Sequence, residues 1–296
     1  MAVRLRLRSA GHCTHWECLL LSGGSCQSVS LPAGFAILEH PVLGLTLFDT
    51  GYSTHLVTQT RRFPDRLHAL ATRSAIRSED TARSQVEALG FSAEEVRHVV
   101  ISHFHADHIA GLADFPRARY LFSRAELDSV RHKRGLARLL AAFVPGLLPE
   151  DFEERASPLD WSRSGPLPGE FAPFERGLDL AGDGSVLAVE LPGHTLGHFG
   201  LFVREPGGSW TLLSGDACWL GRGYRENLMP HRIVSLIFSS WSDTRATLGK
   251  LHELHLRRPD IAIVPSHCAE SIAAARARWE PEVGHTPSAD RVSLRI

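Results

Sequence analysis

The sequence predicts an α/β fold: two β-sheets packed on one another with helices outside, in one domain. Three observations predict it. The first fifty residues read as strands joined by tight turns, and two rounds of strand–helix alternation follow. Each apolar strand of the later part ends in a turn marked by Gly, Pro or Ser. The length of 296 residues, with 43% apolar and 22% charged side chains, suits one large domain that buries a sizeable core. No short-period repeat and no low-complexity stretch argues for a solenoid or a linker.

The elements follow in order. Val3, Leu5 and Leu7 alternate with Arg4, Arg6 and Arg8, the period-two signature of a strand. Phe35 to His40 and Leu45 to Asp49 flank Pro41-Val42-Leu43-Gly44 and read as a hairpin. Thr81 to Leu89 is helical and stops at Gly90, and Ser92 to Glu95 has the form of a capping box. Val96 to Ser102 is a buried-type strand. Gly111 to Phe115 starts a helical turn, Arg119 to Phe122 is a strand, and Ser123 to Glu126 reads as another helix cap. From about 135 to 180 order weakens around Pro145, Pro149, Pro158, Pro166, Pro168 and Pro173. Its apolar members Phe143, Val144, Leu147, Leu148, Trp161, Phe171 and Phe174 suggest a pocket wall or lid inserted in the single domain 1–296. Strands return at Val186–Leu191, Leu201–Val203, Thr211–Ser214 and Ile261–Val264. Helices are expected at about Ser242–Leu256 and Ala269–Trp279, and a polar, fraying tail after Pro281.

Composition narrows the function classes. A net charge of −1 and scattered arginines give no track for nucleic acid and no global attraction to a membrane. No apolar run reaches the ~18 residues of a span, and Leu19-Leu20-Leu21 is too short for a secretory core. The expected compartment is therefore the cytoplasm. Five cysteines without a Cys-x-x-Cys argue against a disulfide framework, and Cys13, Cys18 and Cys26 are a weak zinc candidate. Among 17 histidines, His55, His68, His98, His132, His252 and His255 read as surface or satisfied structural residues.

The chemistry concentrates at Ser102-His103-Phe104-His105-Ala106-Asp107-His108, directly after an apolar strand. His103 and His105 are two apart, so an extended chain points both imidazoles the same way. Asp107 and His108 follow where the backbone can turn toward a second ion. Three further donors stand just past strands, each beside Gly, Pro or Ser: His194 in Pro192-Gly-His-Thr-Leu-Gly-His198, Asp216 in Ser214-Gly-Asp-Ala217, and His267 in Pro265-Ser-His-Cys268. Together these five histidines and two aspartates suffice for two adjacent metals with positions left for water.

These motifs resemble the metallo-β-lactamase superfamily: His-x-His-x-Asp-His at 103–108, Gly-His-Thr-x-Gly-His at 193–198, Asp216, His267 and the early Asp49-Thr50-Gly51. The resemblance covers about residues 35 to 270 and implies a four-layered αββα sandwich. It implies that His103, His105 and His194 hold one divalent metal, that Asp107, His108 and His267 hold another, and that Asp216 bridges them. Zinc is the expected metal, with iron, manganese and cobalt as alternatives. Asp49, and with it His198, would act from behind the ligands. The implied chemistry is attack of a metal-bridging hydroxide on a lactone or carboxylic ester, with Asp107 and Asp216 in catalytic roles. The nearest branch is that of the N-acyl-homoserine lactone lactonases. Those carry a Tyr three residues after the bridging Asp; Trp219 stands there in this chain, and Tyr224 is the expected substitute. A thioesterase of the glyoxalase II kind is the alternative. β-Lactamase, phosphodiesterase or metal-binding scaffold roles rank lower. The partner expected is a small lactone or ester; the oligomeric state is open, a homodimer included.

Overall fold

The structure, a computed structural model, describes residues 2–279 and 294–295. The strands are β1 (Arg4–Trp16), β2 (Ser28–His40), β3 (Gly44–Phe48), β4 (Ala75–Ile76), β5 (Val96–Ile101), β6 (Arg119–Phe122), β7 (Ala156–Pro158), β8 (Gly165–Pro166), β9 (Arg176–Asp179), β10 (Val186–Glu190), β11 (Phe199–Arg204), β12 (Trp210–Gly215), β13 (Ala262–Pro265) and β14 (Leu294–Arg295). They form an eight-stranded sheet in the order β14-β4-β1-β2-β3-β5-β6-β7 and a six-stranded sheet in the order β13-β12-β11-β10-β9-β8. The expected tail after Pro281 lies outside the described residues, apart from β14.

Period-two patterning produces the layers. Along β2, Ala36 and Leu38 turn inward to meet Val186, Ala188, Leu201 and Leu213 of the second sheet. Their neighbours Phe35 and Ile37 turn outward, beneath helical residues such as Leu56, Val86 and Leu127. On the far side, Val189, Phe202 and Leu212 pack against Leu248, Leu251 and Leu254 of the helix Trp241–Arg257. Three apolar cores thus separate four layers, helix–sheet–sheet–helix, as the sequence implies. Each fully buried Leu or Phe in them contributes roughly 1.5–3 kcal/mol.

The connections decide where function can sit. The hairpin β2–β3 is antiparallel, in the register Ile37 to Leu47. β3, β5, β6 and β7 run parallel, and so do β12 and β13. Parallel neighbours need crossovers, here including the helices Ala82–Ala88, Arg124–Arg131 and Trp241–Arg257. The carboxyl ends of β3, β5, β12 and β13 therefore all open on one edge, where α/β sheets bind ligands.

Residues 135–180 carry the chain from one sheet to the other. Phe143, Val144 and Leu147 belong to the core outside the first sheet, and Phe171 and Phe174 to the core outside the second. Trp161 packs edge-on to Phe199, centroids 5.6 Å apart. Most of the apolar residues expected to wall a pocket are core. The large apolar residues exposed in the stretch are Leu136 and Leu140. The cap expected at Ser123 marks the right helix start, but Ser123 makes no side-chain cap. Glu126 instead accepts the Gly197 N–H at 2.7 Å, tying that helix to the loop after β10.

Candidate metal centre

β5 buries Val99, Val100 and Ile101 completely, so the chain leaves the sheet at a fixed point. His103 and His105 follow, the latter in extended backbone, with ring centroids 4.5 Å apart. His105 then caps the one-turn helix Ala106–Ile109, which swings Asp107 and His108 to the other side. β10, β12 and β13 deliver His194, Asp216 and His267 to the same place.

All seven residues are brought together, in two groups. Donor atoms of His103, His105, His194 and Asp216 lie within 4.8 Å of one another, and so do those of Asp107, His108 and His267. Asp216 stands between them. Its Oδ2 is 3.3 Å from His194 Nε2 and 3.2 Å from His267 Nε2, while its Oδ1 is 3.3 Å from His108 Nε2. Asp107 closes the second group, 3.4 Å from His267 Nε2 and 3.9 Å from His108 Nε2.

The outer partners fix which ring nitrogen faces inward. His267 Nδ1 donates to the Pro32 carbonyl at 2.8 Å, and His108 Nδ1 to Asp49 Oδ2 at 2.8 Å. Ser102 gives its amide and its hydroxyl to the two oxygens of Asp49, each at 2.8 Å, and so accepts from His103 Nδ1 at 3.0 Å. Each ring is left with Nε2 turned toward the centre, where that of His267 meets Asp216 Oδ2 at 3.2 Å. Asp49 holds this arrangement from a left-handed backbone, φ 59°, at the end of β3. His198 acts on Asp216: its Nδ1 donates to the Leu191 carbonyl and its Nε2 accepts the Asp216 amide at 3.0 Å. Gly215 has no alternative there, since a Cβ would come within 2.6 Å of that Nε2.

Burial pushes His103 and His194 well down and His105 down to about 4, so these rings are neutral and able to donate lone pairs. Burial also pushes against charging His108 and His267, but Asp216 leads the carboxylates that lift His108 well up and His267 to about 9. Burial alone would raise Asp216; His267 and His108 hold it well below the usual carboxylate range.

The donor set fits a cation. His103 Nε2, His108 Nε2 and Asp216 Oδ1 are buried with no hydrogen-bond partner. His194 Nε2 and His105 Nδ1 face each other at 3.1 Å. Unpartnered buried polar atoms are costly, and converging imidazole and carboxylate donors are what a divalent metal of the zinc type takes up.

A scan of family models matches residues 43–267 to the metallo-beta-lactamase superfamily. The chain belongs to that superfamily. It is an enzyme of the metallo-hydrolase class, and the superfamily binds divalent metals. A probable metallo-hydrolase of Mycobacterium tuberculosis is 32% identical over 262 residues, covering 82% of this chain and 78% of its own. The N-acyl homoserine lactonase AttM of Rhizobium johnstonii is 27% identical, with 83% and 86% covered. A solved N-acyl homoserine lactone hydrolase, with N-hexanoyl-L-homoserine at its metal centre, superposes with a TM-score of 0.67. At 18% identity, over 93% of this chain and 97% of that one, it supports the fold.

Within this metallo-beta-lactamase frame, Tyr224 is a correction. It is buried in the core outside the second sheet, its hydroxyl 3.4 Å from the Ile263 carbonyl, so it does not replace the lactonase tyrosine. Trp219 is the residue beside the centre: its indole N–H donates to Asp216 Oδ2 at 3.2 Å, and its ring packs on Phe238. The spacing from Asp216 was a signal for that position; the bond itself was not readable. Nor does the N-terminal cysteine trio assemble: Cys18 and Cys26 have sulfurs 3.7 Å apart, while Cys13 is buried in the first core. Among the histidines read as structural, His55 pairs with Asp114 at 2.8 Å, and His98 bonds the Leu43 carbonyl. His68 departs from that reading, since its buried Nε2 has no partner.

Proposed function

We propose that the enzyme is a dinuclear metal-dependent hydrolase that opens lactones or cleaves carboxylic esters. The observation that carries this reading is the pair of donor groups joined through Asp216. His103, His105 and His194 would hold one ion, Asp107, His108 and His267 the other, and Asp216 both; zinc suits the N and O donors. Two such ions supply a nucleophile at neutral pH and polarise the substrate carbonyl.

The protein's own residues do the rest. Asp49 and Ser102 orient His103 and His108, and His198 holds Asp216 through its amide. Asp107 is the least buried member, 17% exposed, and is placed to carry a proton to the leaving oxygen. Leu20, Leu21, Trp219 and Phe238 wall a narrow apolar cleft beside Asp216, which shields that side from water. The likeness to named lactonases supports a lactone substrate. With Trp219 in place of a tyrosine the site offers no phenol to the substrate, so the reading extends to lactones and esters generally.

The test is one zinc-loaded sample assayed against a γ-lactone, an aryl ester, a thioester, a phosphodiester and a β-lactam. Lactone or ester turnover that chelation abolishes and zinc restores is expected. Turnover confined to the thioester would move the assignment to the glyoxalase II kind.

A further inference from the structure

We propose that the surface formed by residues 61–73 and 131–140 docks on an anionic lipid bilayer. These segments are far apart in sequence. Folding joins them through the Arg138–Asp65 ion pair at 2.8 Å and a shared apolar cavity of about 150 Å³, lined by Phe63, Leu67, His68, Leu136, Leu139 and Phe143.

Two kinds of side chain meet on this face. Phe63 is 79% exposed, Leu136 69% and Leu70 61%, among the largest exposures of any apolar residue described. The same two segments carry Arg61, Arg62, Arg66, Arg73, Lys133 and Arg134, all exposed. The two segments carry eight Lys and Arg side chains against one carboxylate, Asp65, and that one is paired. Arg61, Arg62, Arg66, Arg73 and Lys133 make no ion pair among the described residues. In a chain of net charge −1 this is a strong local asymmetry.

Exposed apolar side chains and unpaired cations on the same two joined segments match the boundary between headgroups and acyl chains. The apolar tips gain by leaving water while the cations gain from the anionic surface potential. A second copy of the same face would set cations against cations. Nucleic acid would use the cations but leave Leu70 and Leu136 without a role. The face adjoins the metal loop: the Ala142 carbonyl accepts the Ala106 N–H at 3.1 Å, and Phe143 packs on Phe104. Docking would hold the metal loop close to the bilayer, whatever the centre cleaves.

The experiment is flotation of the full-length protein with vesicles of phosphatidylglycerol and phosphatidylcholine, compared with phosphatidylcholine alone. Co-flotation with the anionic vesicles, weakened by salt, is expected. The triple variant R61Q/R62Q/R66Q should lower the partition coefficient about a hundredfold, at about fivefold per cation. It should keep the melting temperature and the turnover of a water-soluble ester. Phe63→Ser with Leu136→Ser should lower partition about tenfold or more. Failure of the unmodified protein to float would overturn the proposal. So would binding that ignores the Phe63 and Leu136 changes yet is displaced by RNA, which would make the face a general polyanion site.

Discussion

His103, His105 and His194 form a neutral half of the centre, whereas His108 and His267, beside Asp107, form a proton-holding and more open half. In the first half burial dominates and the rings resist protonation. In the second, Asp216, Asp107 and Asp49 overcome burial, so His108 and His267 hold protons more tightly. Orientation differs too. His108 is anchored on a buried carboxylate and His267 on a backbone carbonyl, while His194 Nδ1 has no partner. The lesson is that a metal entering the second half must displace protons, and one entering the first need not. Asp216 couples the two.

That contrast can be broken in stages. Asp216→Ala removes the shared oxygen pair and should disable both halves, with a loss of activity beyond the roughly 10–100-fold typical of losing an outer partner. An active variant with both metals retained would refute the coupling. Asp49→Ala should cost about 10–100-fold in metal affinity and fall mainly on the half containing His108; equal weakening of both halves would erase the distinction. Metal uptake by the second half should tighten with pH. His267 in the metal-free protein titrates at about 9, so below that pH it carries a proton that must leave. Each displaced proton implies about tenfold in affinity per pH unit, and His108, lifted well up, adds its own to that of His267. His105, at about 4, adds no such dependence above about pH 5, and calorimetry in two buffers reads the released proton. Trp219→Phe keeps the ring but removes the N–H to Asp216 and should lower turnover about fivefold; no change would make Trp219 packing only.

The smallest effect concerns His55, behind the metal loop. The hydrogen bond that His55 Nε2 donates to the Asp114 carboxylate raises its pKa in the folded state. Its stabilisation is therefore fully present below the unfolded value near 6.5 and is lost as pH rises through the higher folded value. At 42% side-chain exposure the pair is screened, so His55→Ala should flatten the melting temperature against pH only slightly. An unaltered profile would leave His55 without a stabilising role.

Much of this was legible in the sequence because it is local. Apolar strands ending in Gly, Pro or Ser announced the strand-end donors, and period two announced the layers. What stayed hidden depends on residues distant in sequence. Ser123 to Glu126 reads as a cap, yet Glu126 serves Gly197 on another loop. The partner of His267 is the Pro32 carbonyl, a backbone atom that no side-chain pattern reveals. Tyr224 looked close enough to replace a missing phenol, but helix Gly221–Glu226 turns it into the core. The arginines looked scattered because only the fold brings Arg61–Arg73 beside Arg131–Arg138.

The most direct test of the central claim is a zinc titration of metal-free protein, with bound metal measured by elemental analysis and ester or lactone turnover followed in the same tubes. Saturation at two ions per chain, with full turnover only when both are bound, is the result expected. Saturation below one ion, or full turnover in the metal-free protein, would contradict a dinuclear hydrolase.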